Sequence, residues 1–163
     1  MAREFIYQVR KGQATQDYPI TPEEFYDNTE VCAWSDYFFD KDDLEGMTAF
    51  EEFSNLVDTP RFAKVVTINS EDQTVTLHPG FKEVWFEWKF KRIKELVNHA
   101  TLEEFIADTT LEYNIRYNLG ASFDAFIYDE EVGKPKKMDA YFRSLNLSES
   151  VTFHFGGLVM FNY

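Results

Sequence analysis

The residues with the clearest chemical role in this sequence are carboxylates crowded into one segment. Between Asp17 and Asp58, which we call the acidic segment, lie thirteen Asp and Glu residues and one base, Lys41. The segment carries a net charge of −12 in a chain whose total is −13. Such a concentration of one sign produces a strong surface potential that attracts partners of the opposite sign. The chemistry that it offers is electrostatic recognition of a cationic partner.

The spacing of the acids predicts how they would be displayed. Glu23, Asp27 and Glu30 are separated by four and three residues, and the same spacing recurs later in the segment. If these stretches are helical, each set places one carboxylate per turn on one helix face, with a rise of about 5.4 Å per turn. Phosphates along a DNA strand follow one another at a distance of similar order, about 3.4 Å of axial rise. Such a row would imitate the charge pattern that a DNA-binding protein reads.

We predict a partner-binding site made of these acids and of the aromatic side chains between them. Its residues are Glu23, Asp27, Glu30, Trp34, Asp36, Tyr37, Asp40, Asp42, Asp43 and Glu45. The carboxylates would pair with lysine and arginine of the partner, and the aromatic rings would supply apolar anchors. The alternative interpretation is that the charges only solvate an acidic surface while the aromatic rings lie in the core. Like charges at helical spacing repel by about 0.2–0.5 kcal/mol per pair, which favours a use for them.

Other site chemistries have weaker support. From Asp40 the acids match positions 1, 3 and 12 of an EF-hand loop, but Leu44 stands at position 5 and the glycine comes one residue late. The three histidines are scattered, and no pair has the spacing of a zinc site. Cys32 acting as a nucleophile beside a histidine is the remaining enzymatic alternative, although a lone cysteine is more often a small core residue. We therefore predict no enzyme, no metal site and no cofactor.

Composition bounds the class of protein. The chain has 163 residues, 44% hydrophobic and 18% aromatic, which suffices for a packed core and excludes a disordered acidic tail. Cys32 is the only cysteine, so no intramolecular disulfide can form. The first residues include no apolar segment of signal-peptide length, and the longest apolar run, 156–161, is too short to span a bilayer. We expect a cytoplasmic protein that avoids membranes and nucleic acid, because phosphate binding needs basic residues.

Hydrophobic patterning indicates the elements that must carry the acidic segment. Apolar alternation predicts strands over 4–9, 62–68, 75–77, 123–128 and 151–161. Helical spacing and capping signals predict helices that begin at Thr21, cover 48–57 and cover 101–117. The stretch 81–97 mixes both periods, so we assign helix from about Lys91 and leave the first part open between strand and helix. Gly156 and Gly157 predict a bulge or tight bend in the last strand.

These elements favour an α+β fold. Because the strands arrive as hairpin neighbours, we expect a mostly antiparallel sheet of about five or six strands with three or four packed helices. Residues 1–163 are treated as a single compact domain. A division into two halves would fall near residues 79–80, at the Pro-Gly pair.

A second segment combines aromatic residues with bases. Its aromatic residues are Trp85, Phe86, Trp88 and Phe90, and its bases are Lys82, Lys89, Lys91, Arg92 and Lys94. Three interpretations stay open: a surface that stacks nucleic-acid bases, a buried aromatic element whose lysines keep solvated ends, or a contact with the acidic segment of a second copy.

The patterns together predict a non-enzymatic acidic interaction protein. It would bind and block a basic, nucleic-acid-binding protein as a DNA mimic does. Small acidic inhibitors of defence nucleases from phages and mobile elements share this profile of size, charge and aromatic content, an analogy of composition without a family motif. The alternative is a structural or accessory module that binds a partner, or a second copy of itself, through aromatic surfaces. Ionic strength separates the two, because a charge-dominated complex weakens steeply as salt rises.

Overall fold

A single mixed sheet organises the computed structural model of the chain, which describes residues 3–32, 37–107, 111 and 125–162. The strands are β1 (Arg3–Lys11), β2 (Tyr37–Phe38), β3 (Val66–Asn69), β4 (Thr74–Leu77), β5 (Phe126–Asp129), β6 (Lys134–Lys137) and β7 (Val151–Asn162). The helices are α1 (Thr29–Cys32), α2 (Ala49–Val57), α3 (Phe81–His99), α4 (Leu102–Ala107) and α5 (Met138–Ser144). Short 3₁₀ turns occupy Pro22–Phe25, Lys41–Leu44 and Pro60–Phe62.

The strand order within the described ranges is β3-β4-β7-β1-β5-β6, and β2 lies outside this path. β2 pairs with the C-terminal end of β7, whereas β4 pairs with its N-terminal end. The β1–β5 pair is parallel and the other pairs are antiparallel. The predicted α+β fold with a mostly antiparallel sheet is therefore confirmed. Strands from before and after residue 80 are neighbours in it, because β1 and β4 both pair with β7.

The two faces of the sheet are covered differently. On one face, which we call the helix face, Val9 and Phe153 pack in a core with residues of α2, α3 and α5 that include Phe53, Trp85 and Phe142. Aromatic rings meet at close range there, with 4.9 Å between the ring centroids of Trp85 and Phe142. The three longest helices are thus held on this side of the sheet.

The opposite face, which we call the loop face, is covered by chain with little regular structure. Ile6, Phe126 and Phe161 of the sheet form a smaller core there with Ile20 and other apolar residues from 20–31. The first half of the acidic segment is therefore placed on the loop face.

Gly156 and Gly157 form the predicted bulge, where the register of β1 against β7 shifts. Gln8 lies at the shift and is 0% exposed. Its Oε1 accepts hydrogen bonds from Gly157 N at 2.6 Å and from Ile20 N at 3.0 Å. A Cβ on Gly157 would lie 2.6 Å from Ile20 N. The bulge makes room for Gln8, which ties the segment 12–20 to the loop face.

Glu130 is a second anchor for the same segment. Its Oε1 accepts from Gln8 Nε2 at 2.9 Å, and its Oε2 accepts from Gln16 N at 3.0 Å. Arg10 Nη1 lies 3.7 Å from Oε2. The carboxylate therefore joins the turn after β5 to the chain that follows β1.

Three predicted elements are confirmed, the strands over 4–9 and 151–161 and the helix over 48–57. The strands predicted over 62–68 and 75–77 form the β3–β4 hairpin, but the first was predicted too long. β3 begins only at Val66, because Phe62 ends a 3₁₀ turn and is buried in the helix-face core. The helix predicted over 101–117 begins at a capping box, where Thr101 N donates to Glu104 Oε2 at 2.9 Å. It is confirmed as α4, while 108–110 and 112–117 lie outside the described residues. The strand predicted over 123–128 corresponds to β5, which begins at Phe126, while residues 123 and 124 lie outside the described residues.

The structure decides the start of α3, which the sequence leaves open. The helix assigned from about Lys91 is confirmed, and α3 begins ten residues earlier, at Phe81. Phe81, Trp85 and Lys89 recur every four residues and are the buried residues of this helix. The apolar alternation that resembled a strand includes Phe90, which is 62% exposed. Burial of the stripe formed by these three residues therefore makes the segment helical from Phe81.

Lys89 also corrects the expectation that the lysines of this segment keep solvated ends. It is 5% exposed, and its Nζ lies 2.7 Å from both carboxylate oxygens of Asp139. Trp85 Nε1 donates to Asp139 Oδ1 at 2.8 Å. Burial lowers the pKa of Lys89, and the pairing with Asp139 opposes that effect. This ion pair fastens α3 to α5.

Candidate functional site

The predicted site residues lie in short elements, not along one helix. Glu23 is in the first 3₁₀ turn, Glu30 is in α1, and Asp40 immediately precedes the second 3₁₀ turn. Because α1 has four residues, the row of one carboxylate per helical turn that the spacing suggested is not formed. Trp34 and Asp36 lie outside the described residues.

A first group of acids, Glu23, Asp27 and Glu30, points away from the loop face. Phe25 and Val31 alternate with them and are 1% and 0% exposed, because they pack against that face. All three acids are exposed. The buried residues fix the backbone and leave the carboxylates in solvent.

Side-chain caps hold the backbone of this first group. Thr21 N donates to Glu24 Oε1 at 3.1 Å, as the capping-box signature predicted, although only a 3₁₀ turn follows. Asn28 Oδ1 accepts from the backbone N–H groups of Glu30 and Val31, both at 3.1 Å. Hydrogen bonds from the Thr21 hydroxyl and from the Glu23 backbone lower the pKa of Glu23. Glu23 therefore stays ionised to lower pH than an ordinary glutamate.

A second group, Asp40, Asp42, Asp43 and Glu45, lies on the helix-face side. Leu44 anchors it, since this side chain is 8% exposed and belongs to the helix-face core. Asp43 also stabilises the backbone of this group, because its Oδ2 accepts a hydrogen bond from Asp40 N at 3.0 Å. All four acids are exposed.

β2 lies between the two groups, at an edge of the sheet. Phe38 packs on the loop face with 6.2 Å between its ring centroid and that of Phe161, whereas Phe39 packs against the helix-face core. Tyr37 is 52% exposed. Tyr26, 53% exposed, contacts Phe38 with 5.6 Å between ring centroids. The acids thus flank one sheet edge from opposite faces, with exposed tyrosines beside them.

Tyr26 is a surface residue that the sequence reasoning missed. It directly precedes Asp27 and follows the buried Phe25. An aromatic residue next to a core residue is normally assigned to the core, and only the turn at 26–27 reveals its exposure. Its ring and that of Tyr37 give the acidic surface two apolar contacts.

Within the described ranges, the carboxylates of the acidic segment form no ion pair. No Asp or Glu oxygen there lies within 4.0 Å of a basic nitrogen. On α3, by contrast, Lys91 lies 3.7 Å from Glu87 and Arg92 lies 3.7 Å from Glu95. The charge of the acidic segment is therefore left unneutralised by this part of the chain.

The cysteine and histidine residues considered for enzymatic or metal chemistry take part in other hydrogen bonds. Cys32 Sγ donates to two backbone carbonyls of the preceding turn, both at 3.1 Å. His78 joins three elements, with Nε2 at 2.7 Å from Thr67 Oγ1 and Nδ1 at 2.7 Å from Ser150 Oγ. Over the residues that the structure describes, no group of three His, Cys, Asp or Glu side chains is arranged to hold a metal ion.

Three of the four rings of the second segment, those of Trp85, Phe86 and Trp88, are buried or lie under a guanidinium group, whereas Phe90 is exposed. Trp85 is buried, and the Arg61 guanidinium lies 5.0 Å from the ring centroid of Trp88. The Arg143 guanidinium lies 4.8 Å from the ring centroid of Phe86. Because these guanidinium groups already lie over the rings, the arrangement favours a packed aromatic element over a surface that stacks nucleic-acid bases.

Comparison with protein-family models, with curated proteins and with solved structures finds no match. None of the helices within the described ranges is long and apolar enough to cross a membrane.

Proposed function

We propose that this chain binds a basic protein through its acidic segment and thereby blocks that protein's contact with nucleic acid. The observation that carries the proposal is the set of exposed carboxylates on both sides of β2, which the described bases leave unpaired. Charges that no intramolecular partner neutralises remain available to lysine and arginine of another molecule.

The energetics require many contacts and an apolar anchor. An exposed ion pair contributes only about 0.2–1 kcal/mol, so carboxylates alone provide fast association and specificity more than affinity. Tyr26 and Tyr37 supply apolar surface beside them, since each ring is about half exposed. Aromatic residues at the centre of an interface contribute much of the binding energy.

The geometry modifies the DNA-mimic form of the proposal. In place of one row of acids along a helix, two groups flank the edge formed by β2. A partner would therefore have to contact acids on both sides of this edge. A cytoplasmic location belongs to the same proposal, because a nucleic-acid-binding partner would be met there.

Affinity capture with matched variants tests the proposal. The acid-neutral variant changes exposed acids that cap no helix: Glu23→Gln, Asp27→Asn, Glu30→Gln and Asp42→Asn. The charge-matched control changes exposed acids elsewhere: Glu71→Gln, Glu83→Gln, Glu103→Gln and Glu149→Gln. The parent and the control are expected to retain a basic protein that duplex DNA displaces, whereas the acid-neutral variant loses it.

Two results would contradict the proposal. Equal retention by the acid-neutral variant and the control would reduce the acidic segment to a solubility feature. If duplex DNA fails to displace the retained proteins, the chain does not compete with nucleic acid for their binding surface.

A second candidate function has support from a different surface. Apolar side chains of α3 and α4 are exposed, with Phe90 at 62%, Leu102 at 74%, Phe105 at 55% and Ile106 at 75%. These residues favour the accessory-module alternative, in which apolar contacts hold the partner or a second copy. Partners that a salt gradient fails to elute would support this second function.

A further inference from the structure

We propose that a groove between α2 and the C-terminal end of β3 receives an arginine side chain of the basic partner. This inference rests on the proposed function and assigns it a specific point of contact. The groove has a volume of about 440 Å³ and is lined by residues of α2 that include Glu51, by Asp58 directly after this helix, and by Ile68 and Ser70 of the hairpin.

Three polar residues of the groove, two acids and an amide, follow helical spacing. Glu51, Asn55 and Asp58 are separated by four and three residues, so they follow one face of α2 toward its C-terminus. All three are exposed. Phe50 and Ile68 add apolar walls, and Phe50 is 8% exposed. The groove therefore combines carboxylates with apolar walls.

Two features of the groove lack a partner within the described part of the chain. Ser54 lines the groove and is 9% exposed, and its buried Oγ has no hydrogen-bond partner there. A buried hydroxyl without a partner is costly. Glu51 uses one oxygen, Oε2, to accept from Thr48 Oγ1 at 3.0 Å, which leaves Oε1 available.

Asp58 stands where a helix disfavours an acid. It is the C-cap of α2, and the last turn of this helix contains no basic residue. The carbonyl groups at a helix C-terminus attract cations and repel carboxylates. A cation in the groove would satisfy both Asp58 and the end of the helix.

The chemistry of the groove favours arginine over lysine. A guanidinium has five N–H donors in a planar fork, which can serve a carboxylate, an amide oxygen and a hydroxyl at once. The ammonium group of lysine is a compact charge with three donors. The apolar walls suit the methylene stem of the side chain. Glu51, Ser54, Asn55 and Asp58 would therefore discriminate between the two bases.

Peptide binding tests this discrimination with defined probes. Fluorescent oligo-arginine and oligo-lysine peptides of equal length carry the same charge, so a diffuse acidic surface binds them alike. We expect the parent to bind oligo-arginine about tenfold more tightly. The groove variant Glu51→Gln/Asp58→Asn is expected to bring this ratio close to one. The matched control Asp27→Asn/Glu30→Gln is expected to weaken both peptides and keep the ratio.

A variant of unchanged charge addresses the shape of the groove. Ser70→Phe lies in an exposed turn and would fill the space beside Ile68. We expect it to lose the arginine preference while retaining binding of oligo-lysine. Circular dichroism and thermal melting of each variant establish that it is folded.

The outcomes separate this inference from the proposed function. Equal binding of the two peptides by the parent, or an unchanged ratio in the groove variant, would overturn the arginine site while leaving recognition of basic partners in place. Failure of both peptides to bind the parent would overturn both proposals. In NMR titrations with oligo-arginine, shifts at the Asn55 side-chain amide would support the site, and their absence would count against it.

Discussion

At the scale of single residues, two buried tyrosines link the core to pH. Tyr7 is 2% exposed and Tyr141 is 4% exposed. Burial raises the pKa of Tyr7, and the neighbouring Glu4 and Glu52 carboxylates add to this effect. Burial also raises the pKa of Tyr141, whose hydroxyl donates to Asp129 Oδ2 at 2.7 Å. Both phenols are held in the neutral form by the fold.

This arrangement predicts alkaline sensitivity. A phenol whose pKa is raised in the folded state contributes stability below its unfolded pKa of about 10 and loses that contribution as pH rises beyond it. Tyr7→Phe is expected to change the free energy of unfolding little near neutral pH and to reduce its fall at alkaline pH. Urea unfolding followed by tryptophan fluorescence over this pH range measures the difference.

Tyr141→Phe provides the contrast. It removes a hydrogen bond to Asp129, which is 1% exposed, and is expected to lower stability by about 1.5–3 kcal/mol even at neutral pH. A parallel loss of stability by the Tyr7→Phe protein and the parent as pH rises would contradict a raised pKa of Tyr7 in the folded state.

At the scale of elements, the bulge in β7 sets a steric constraint. A Cβ on Gly157 would meet the Ile20 backbone at 2.6 Å, and a Cβ on Gly156 would meet Gln8 Oε1 at 2.5 Å. Gly157→Ala is expected to lower the free energy of unfolding by roughly 1–3 kcal/mol, as overpacking does. Equilibrium denaturation measures this loss.

A double-mutant cycle with Gln8→Ala separates the two obstacles. Gly156→Ala should be less costly in the Gln8→Ala background, because the clashing side chain is gone. Gly157→Ala should stay costly there, since its obstacle is backbone. Strict additivity of Gly156→Ala and Gln8→Ala would contradict the role given to Gln8.

Sequence patterns predicted the elements whose signals are local. The helical spacing of apolar residues from Ala49 to Val57 predicted α2, and polar turn residues between two β-branched runs predicted the β3–β4 hairpin. β6 has no strand signal in the sequence, because Lys-Pro-Lys-Lys carries no β-branched residue, and its strand conformation depends on pairing with β5. The start of α3 stayed open because its buried stripe includes Lys89, whose partner Asp139 is distant in sequence.

The candidate site shows the same limit at the residue level. The composition predicted an exposed acidic surface, and Glu23, Asp27 and Glu30 are exposed. Their arrangement depends on Phe25 and Val31 packing against the loop face, a contact with distant strands that no local spacing reveals. Periodicity alone therefore could not decide whether these acids form a row along one helix.

At the scale of the whole molecule, the acidic segment should make stability depend on salt. Its carboxylates repel one another, and the described bases do not offset that repulsion. Raising ionic strength from about 0.01 M to about 0.15 M shortens the screening length from about 30 Å to about 8 Å. The melting temperature of the parent is expected to rise, by about 2–4 °C for each kcal/mol of repulsion removed.

The acid-neutral variant gives this prediction a control. It should melt above the parent at low salt, and the difference should shrink as salt is added. Glu87→Gln/Glu95→Gln removes acids that pair with Lys91 and Arg92, so it should give no such gain. A melting temperature of the parent that stays constant or falls with added salt would show that the acids do not repel appreciably.

The position of β7 in the chain has a consequence for biosynthesis. β7 pairs with β1, β2 and β4, yet about 140 residues separate the end of β1 from its beginning. At roughly 5–20 residues per second, β1 is synthesised roughly seven to thirty seconds before the first residue of β7. During that interval the nascent chain exposes apolar strands, while the acidic segment between β1 and α3 is already translated. The acidic segments of neighbouring nascent chains would repel one another. This repulsion would protect the polypeptide from aggregation before it meets any partner.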